Sequence, residues 1–302
     1  MKNKFSVSGP SPVENHRERE KGVLVYPVYS RRSKGLSVGI NLFPDKKKCS
    51  FDCPYCEVFP FSTNALFSLE QMEEDLRDVI ADVLEWNIVV KDICFSGNGE
   101  PSVSADFPKA LEMAGRLRDE LVPSAELVLI TNGTGLLNDS VFSLLKEAVF
   151  SYRLDIWLKV DAGTPEWYQK MNRSEIPFEK LTAKIKEFTA VAPVTIQTML
   201  CKADGEGPPP EEERAWEGLI LELAAKAAAV GGLRKVQIYG KARPAPEDTE
   251  LPFNGHQAPK TSALPVQALN ERAVSLRSAF LSADNFTIAG IKNVQTGVEI
   301  YP

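Results

Sequence analysis

LSVGINLFPDKKKCSFDCPYC, residues 36–56, is the stretch on which the interpretation of this chain depends. It begins with an apolar run, residues 36–43, whose aliphatic and β-branched side chains predict a buried strand. A short basic link follows, and then Cys49, Cys53 and Cys56 lie within eight residues. Two cysteines would suit a disulfide or a redox pair, and four would suit a closed zinc site. Three thiols in a loop at a strand end need a different explanation.

Apolar, strand-like runs alternate with amphipathic helical runs along most of the chain. We predict strands at 36–43, 88–97, 126–131, 153–160, 194–200 and 235–240, and helices at 68–86, 106–121, 138–150, 177–191 and 211–230. Because the strands are apolar throughout, we expect parallel strands covered on both faces by right-handed crossovers. Six such units predict an α/β fold, either a partial (βα)6 TIM-type barrel or an open doubly wound sheet. In both folds the active site lies at the carboxyl ends of the strands.

Composition changes at both ends of this alternating region. Residues 1–22 are polar and are expected to form a mobile N-terminal segment, and residues 23–245 form the core. Residues 246–302 form a short C-terminal α/β extension, with a helix at 266–281 and an edge strand at 285–290. No repeat of fixed period is visible.

Charge and apolar content exclude several classes of protein. The chain has 302 residues and a net charge of -6, which argues against broad nucleic-acid or membrane-surface binding. Residues 14–48 are locally basic, with nine Lys or Arg and four Asp or Glu, which indicates either a solvated surface or a site for a phosphate-bearing partner. The chain shows neither a signal peptide nor a run long enough to span a membrane. A cytoplasmic protein is expected.

The three clustered cysteines favour an iron–sulfur cluster over structural zinc. Zinc normally takes four Cys or His ligands, and the two histidines, His16 and His256, lie in the segments that look least ordered. A zinc site that recruits Cys201 or a distant histidine remains the alternative. A [4Fe–4S] cluster usually has one thiolate for each iron, so three thiolates leave one iron open to bind a substrate or cofactor. Three is therefore a suitable number for a cluster that acts on a molecule it also chelates.

The Cys-x3-Cys-x2-Cys spacing, with Tyr55 before the last cysteine, resembles the signature loop of the radical S-adenosylmethionine (SAM) superfamily. The stretch YSRRSKGLSVGINLFPDKKKCSFDCPYCE is similar to the opening of a group of Fe–S oxidoreductases related to the wybutosine-synthesising enzymes. The resemblance covers roughly residues 23–245. It implies a partial (βα)6 barrel in which Cys49, Cys53 and Cys56 hold a [4Fe–4S] cluster.

The resemblance also implies a set of SAM-binding residues at the strand ends. Where the superfamily has a Gly-Gly-Glu segment that binds the SAM amino group, this chain has Asn98-Gly99-Glu100, preceded by Gly97. Asn replaces the first glycine, and we expect the turn to survive because Asn tolerates left-handed backbone. The Lys159–Asp161 pair is expected either to form an internal ion pair or to contact the SAM carboxylate and ribose. The full expected cofactor-binding set is Tyr55, Gly97, Asn98, Gly99, Glu100, Thr131, Asn132, Lys159, Asp161 and Gln197.

Three arginines are candidates for binding the substrate. Arg31 and Arg32 precede the first predicted strand and would suit a phosphate, although a solvated turn would look the same. Arg243 follows the sixth strand and either reaches the substrate cavity or lies on the surface.

The resemblance predicts an enzyme that cleaves SAM reductively to a 5′-deoxyadenosyl radical, which abstracts hydrogen from a substrate. A reductant protein such as flavodoxin or ferredoxin is the implied partner. The substrate is a tRNA, a protein such as a glycyl-radical enzyme, or a small molecule. The chain has no second cysteine cluster that would hold an auxiliary iron–sulfur centre. The alternative from another class is a non-enzymatic electron-transfer or zinc-binding protein.

Overall fold

A computed structural model of the chain describes residues 22–243, 245, 258–282 and 297–302. Almost all of the expected N-terminal segment 1–22 and the edge strand predicted at 285–290 lie outside the described residues. The chain divides into two compact units that alternate along the sequence. The first comprises Met1–Cys49, Val58–Ile130 and Ser151–Asp155, and the second comprises Ser50–Glu57, Thr131–Phe150 and Ile156–Pro302.

Four strands form the sheet of the first unit. They are β1 (Val25–Ser30), β2 (Gly35–Ile40), β3 (Val90–Phe95) and β4 (Glu126–Thr131, whose last residue belongs to the second unit). β1 pairs with β2 in the antiparallel direction, whereas β2–β3 and β3–β4 are parallel. The side chains of Val38, Ile40, Ile93 and Phe95 are fully buried. The continuous apolar runs therefore form strands that are covered on both faces.

Two amphipathic helices belong to this unit, α1 (Leu69–Glu85) and α2 (Phe107–Leu121). Ser68 caps α1, as expected, because its hydroxyl accepts a hydrogen bond from the backbone N–H of Gln71 at 3.2 Å. Met72 and Leu76, one helical turn apart on α1, are fully buried.

The second unit continues the alternation of strands and helices. Its strands are β5 (Leu154–Lys159, whose first two residues belong to the first unit), β6 (Thr195–Ala203), β7 (Lys235–Gly240), β8 (Thr261–Ala263) and β9 (Val298–Tyr301). Its helices are α3 (Asp139–Ser151, whose last residue belongs to the first unit), α4 (Pro165–Met171), α5 (Phe178–Thr189), α6 (Pro210–Ala227) and α7 (Val266–Ser282). β5–β6, β6–β7 and β7–β9 are parallel pairs, and β8 pairs with β6 in the antiparallel direction.

All six predicted strands and all predicted helices of the described residues are present, with ends that shift by up to three residues. The structure adds β1, α4, β8 and β9, which the sequence patterns did not predict. β1 contains Pro27 and lies at the edge of the sheet, where a missing N–H is tolerated. None of the helices among the described residues is long and apolar enough to cross a membrane.

Candidate functional site

The cysteine segment presents three thiols that form no disulfide and differ in exposure. Cys49 is exposed, Cys53 is buried and Cys56 is intermediate. Among the described residues, no group of three or more His, Cys, Asp or Glu side chains is arranged so that it could hold a metal ion. The donor set nevertheless fits an iron–sulfur cluster, because three cysteine thiols in one short loop are the ligand type and number that a cluster with one open iron requires.

In the first unit, the residue before Cys49 is anchored to the turn that follows β3. The N–H of Lys48 donates to the carbonyl of Asn98 at 3.0 Å, and the N–H of Glu100 donates to the carbonyl of Lys48 at 2.8 Å. These two bonds form a short parallel bridge centred on Gly99. The start of the cysteine segment and the expected SAM-binding turn are therefore held in one register.

Gly99 is the residue that permits this close approach. Its φ is +154°, and a β-carbon there would lie 1.8 Å from the carbonyl oxygen of Lys48. Gly97, with φ +120°, supplies the other unusual backbone conformation of the turn.

The expected reason for Asn98 is wrong, although the turn is preserved. Asn98 is not among the residues with positive φ; Gly97 and Gly99 on either side of it carry that conformation. The buried Asn98 side chain instead donates to the carbonyl of Phe43 at 3.2 Å, and its N–H donates to the Asn41 side chain at 3.2 Å. The side-chain amide of Asn98 therefore ties the turn to the loop after β2 through one hydrogen bond, and its backbone N–H makes a second.

The Glu100 side chain is buried and caps a short helical turn. Its Oε1 accepts hydrogen bonds from the N–H and the hydroxyl of Ser102, at 3.1 and 2.5 Å. The carboxylate is thus held in a fixed position at the carboxyl end of β3.

In the second unit, a buried polar network lies beside Cys53. The Tyr55 hydroxyl donates to Asp161, and Lys159 Nζ lies 3.4 Å from Asp161 Oδ2. Lys159 also donates to the Tyr239 hydroxyl at 2.6 Å and lies 4.7 Å from the centre of the Tyr55 ring. The internal ion pair that the sequence offered as one alternative for Lys159 and Asp161 is therefore present.

Burial and nearby charges shift the acidities in this network. Burial is the largest single influence on Lys159 and disfavours its charge, but Asp161, Tyr239 and Cys53 together outweigh burial and raise the pKa of the ammonium. Burial, reinforced by Asp161, raises the pKa of the Tyr55 hydroxyl. Burial also raises the pKa of the Cys53 thiol to about 11. Lys159 thus supplies a lasting positive charge within a region that otherwise disfavours charge.

Polar residues at the end of β4 bind the residue that follows Cys49 in sequence. Asn132 Nδ2 donates to the Ser50 hydroxyl at 3.1 Å, while Asn132 Oδ1 accepts from the Thr134 hydroxyl at 2.7 Å. Thr131 accepts from the N–H of Gly133 at 3.0 Å. The Asn132 side chain therefore contacts the start of the loop that carries Cys53 and Cys56, while Thr131 stabilises the turn after β4.

Gln197 lies in β6 with its side chain fully buried. Its Nε2 donates to Gln237 Oε1 on β7 at 2.7 Å. Among the described residues, Gln237 Nε2 has no hydrogen-bond partner. The two amides lie opposite each other on the neighbouring strands β6 and β7.

The three candidate substrate arginines belong to different units, Arg31 and Arg32 to the first and Arg243 to the second. Arg243 pairs with Glu57 at 2.9 Å, next to the cysteine segment. Arg31 and Arg32 lie in the turn between β1 and β2, at the amino end of β2. The cysteine segment follows the carboxyl end of β2, so the two arginines lie at the other end of that strand, and their role as substrate ligands stays a prediction.

Sequence reasoning missed three residues of the second unit, Ser50, Asn172 and Tyr239. Asn172 ends α4, and its Nδ2 donates to Asp161 at 3.0 Å and to the Cys53 sulfur at 3.6 Å. Single Asn, Ser and Tyr residues do not produce the apolar periodicity from which helices and strands are predicted. The one signal for residues 172–174 is the polar Asn-Arg-Ser run that follows a helical pattern.

The chain is similar to several known proteins. Residues 46–206 match the profile of the Radical SAM superfamily. A UPF0026 protein from Synechocystis is 27% identical over 243 residues, which are 76% of this chain and 79% of that protein. A radical SAM methyltransferase from Sphaerobacter thermophilus superposes with a TM-score of 0.57 at 13% identity, covering 91% of this chain and 69% of that one. TYW1 with a lysine-pyruvate adduct bound gives a TM-score of 0.47 at 11% identity, covering 80% of this chain and 73% of that one.

The profile match gives the family, and the superposition on the Sphaerobacter methyltransferase gives the fold class. The fold is the expected α/β partial TIM-type barrel with a mostly parallel sheet, rather than an open doubly wound sheet. Members of the matched superfamily are generally enzymes, and the superfamily implies SAM and an iron–sulfur cluster. Because the profile spans more than half of its length, the chain belongs to the radical SAM superfamily.

Proposed function

We propose that this protein is a radical SAM enzyme in which Cys49, Cys53 and Cys56 hold a [4Fe–4S] cluster. The observation that carries the proposal is the Cys-x3-Cys-x2-Cys loop directly after β2 in a chain of this superfamily. When bound and reduced, the cluster would cleave SAM to methionine and a 5′-deoxyadenosyl radical, which removes hydrogen from a substrate. The electron would come from a reductant protein such as flavodoxin or ferredoxin.

In the first unit, the backbone would position one cluster ligand, Cys49, and the turn that binds the SAM amino group. The Lys48 backbone, bridged to Gly99, holds Cys49 in register with the Gly97–Glu100 turn. In the proposed enzyme this turn receives the SAM amino group through its carbonyls and the Glu100 carboxylate, which carries the charge opposite to an ammonium.

The residues of the second unit would exclude water and supply charge. Lys159 is held cationic by Asp161 and is buried beside two tyrosine rings. In the proposed enzyme it attracts the SAM carboxylate, while Asp161 and the buried amides of Asn132 and Gln197 offer hydrogen bonds to the nucleoside. A reactive radical requires such an enclosed and preorganised environment, since other C–H groups within its reach would compete with the substrate.

Metal analysis under anaerobic conditions tests the ligand set. The protein is reconstituted with iron and sulfide, and both elements are quantified together with zinc. We expect four irons and four sulfides per chain in the [4Fe–4S] form. Single Cys49→Ala, Cys53→Ala and Cys56→Ala variants should lose the cluster. A Cys94→Ala variant is the matched control, because Cys94 is a buried thiol of β3 that lies outside the loop.

Two results would contradict this assignment. Zinc bound without sulfide would indicate a zinc protein. A cluster whose reduced-state electron paramagnetic resonance (EPR) spectrum does not change on addition of SAM would indicate an electron carrier, since an open iron that binds SAM must alter that spectrum.

A further inference from the structure

Three consecutive residues after α4 form hydrogen bonds and an ion pair with the part of the cysteine loop that belongs to the second unit. The carbonyl of Asn172 accepts from the N–H of Asp52 at 2.9 Å, and Arg173 pairs with the Asp52 carboxylate at 3.2 Å. The Ser174 hydroxyl donates to the carbonyl of Ser50 at 3.1 Å. We call residues 172–174 the loop clamp.

The backbone of the loop clamp is in an unusual conformation. Arg173 has φ +47°, a left-handed conformation that is costly for a residue with a β-carbon. This conformation ends α4 and turns the chain, so that consecutive residues all contact the cysteine loop. Strain of this kind persists only where the surrounding contacts over-determine it, and such positions cluster at functional sites.

Within the loop clamp, Asn172 is the residue that reaches a sulfur. Its side-chain amide is buried and has two N–H groups. Asp161 Oδ2 lies 3.0 Å from Nδ2, the Cys53 Sγ lies at 3.6 Å, and the Tyr55 hydroxyl lies at 3.4 Å. The amide has two N–H groups for these three acceptors, and the sulfur of an expected cluster ligand, Cys53, lies within hydrogen-bond distance of it.

We propose that Asn172 is a positioning residue that donates an N–H···S hydrogen bond to Cys53 and thereby sets the reduction potential and the stability of the cluster. The inference rests on the proposed function, because it requires Cys53 to ligate iron. Hydrogen bonds to cluster sulfurs stabilise negative charge, and the reduced cluster carries one more negative charge than the oxidised one. The bond therefore favours reduction, and its loss makes the potential more negative.

The test compares variants that separate the hydrogen bond to sulfur from the grip on the loop. Asn172→Ala removes the N–H donor. Ser174→Ala is the matched control, because it removes a clamp bond to the backbone of Ser50 and leaves the Cys53 sulfur untouched. Each protein is reconstituted with iron and sulfide, and the midpoint potential is measured by an EPR-monitored redox titration. The rate of iron release to a chelator is the second readout.

We expect Asn172→Ala to shift the midpoint potential to a more negative value and to release iron several-fold faster than the wild type. Ser174→Ala should keep the wild-type potential. Asn172→Gln, which retains an amide donor, should restore the potential at least in part. This variant also serves as the readout if Asn172→Ala fails to fold.

Several outcomes would overturn the proposal. An Asn172→Ala protein with wild-type potential and wild-type iron release would show that the amide only satisfies Asp161. An equal shift in Ser174→Ala would show that loop geometry, rather than the N–H···S bond, sets the potential. A wild-type chain that takes up no iron–sulfur cluster would overturn the proposed function and this inference together. A tuned cluster without SAM cleavage would refute only the proposed function.

Discussion

The carbonyl oxygen of Lys48 lies 1.8 Å from the point that a β-carbon on Gly99 would occupy. Any side chain at Gly99 would therefore push the Lys48 backbone away and break the bridge that holds Cys49 against the turn after β3. Glycine is therefore required at position 99 for two reasons: a side chain would clash with the Lys48 backbone, and the positive φ is strained for a residue with a β-carbon.

Gly99→Ala should consequently destabilise the first unit and impair iron loading. We expect a loss of about 3 kcal/mol in the free energy of unfolding, because a backbone clash adds to the cost of the conformation. Gly205→Ala is the matched control, since Gly205 also has positive φ, +87°, but a β-carbon placed on it would have no neighbouring atom within 4 Å among the described residues. It should cost about 1 kcal/mol and leave iron content unchanged. Urea unfolding and iron quantification measure both; equal effects of the two substitutions would refute the clash.

Lys159 and Asp161 should behave as a coupled pair. Lys159→Met leaves Asp161, which is 1% exposed, as a buried carboxylate that has lost its cation, and should destabilise the protein by about 3 kcal/mol. Adding Asp161→Asn should recover a substantial part of that loss, because the buried charge is then gone as well. A double-mutant cycle by urea unfolding measures the coupling. Additive losses would contradict the pairing.

The buried Asp92 of β3 predicts a pH dependence of stability in the first unit. Burial raises the pKa of Asp92 to about 6, and repulsion from Glu126 contributes to the rise. Hydrogen bonds from Ser33 and Ser37 and the attraction of Arg32 lower the pKa but do not cancel the effect of burial. The folded state therefore binds the proton more tightly than the unfolded state, whose carboxyl has its ordinary pKa of about 4. The stabilising contribution is complete below about pH 4 and is lost as the pH rises through about 6.

Asp92→Asn should remove this dependence. Relative to the wild type, the variant should gain about 3 kcal/mol in the free energy of unfolding at pH 7.5 and little at pH 4. Urea unfolding of both proteins at the two pH values gives the difference directly, and Glu126→Gln controls for the facing acid. A difference between Asp92→Asn and wild type that does not change with pH would show that Asp92 is not responsible.

The sequence predicts most of the fold because the core strands are buried on both faces. Runs such as 126–131 and 235–240 are largely apolar and are bounded by polar or turn-forming residues, so their ends agree with the structure. β1 escaped prediction because an edge strand with Pro27 and half-buried side chains lacks both the apolar run and the strict alternation. β9 is four residues long, which is too short for a periodic signal.

The candidate site is only partly readable from the sequence for a different reason. The cysteine spacing is local, so residues 49–56 reveal it without the fold. The roles of Asn172 and Tyr239 depend on contacts between residues that are more than 75 positions apart in the sequence. Asn172 contacts Cys53 and Tyr55. Tyr239 contacts Lys159. Asn98 shows a third situation, in which the position was predicted but the physical reason was wrong, because its side chain rather than its backbone decides the residue.

The central claim is that the three-cysteine loop supports reductive cleavage of SAM. The most direct measurement is the amount of 5′-deoxyadenosine that the reconstituted protein forms anaerobically from SAM and a reductant, quantified by chromatography. We predict product that requires the reductant, persists in Cys94→Ala and falls to background in Cys49→Ala, Cys53→Ala and Cys56→Ala. Equal product from wild type and Cys53→Ala, or no product from a wild-type protein with its iron and sulfide in place, would contradict the claim.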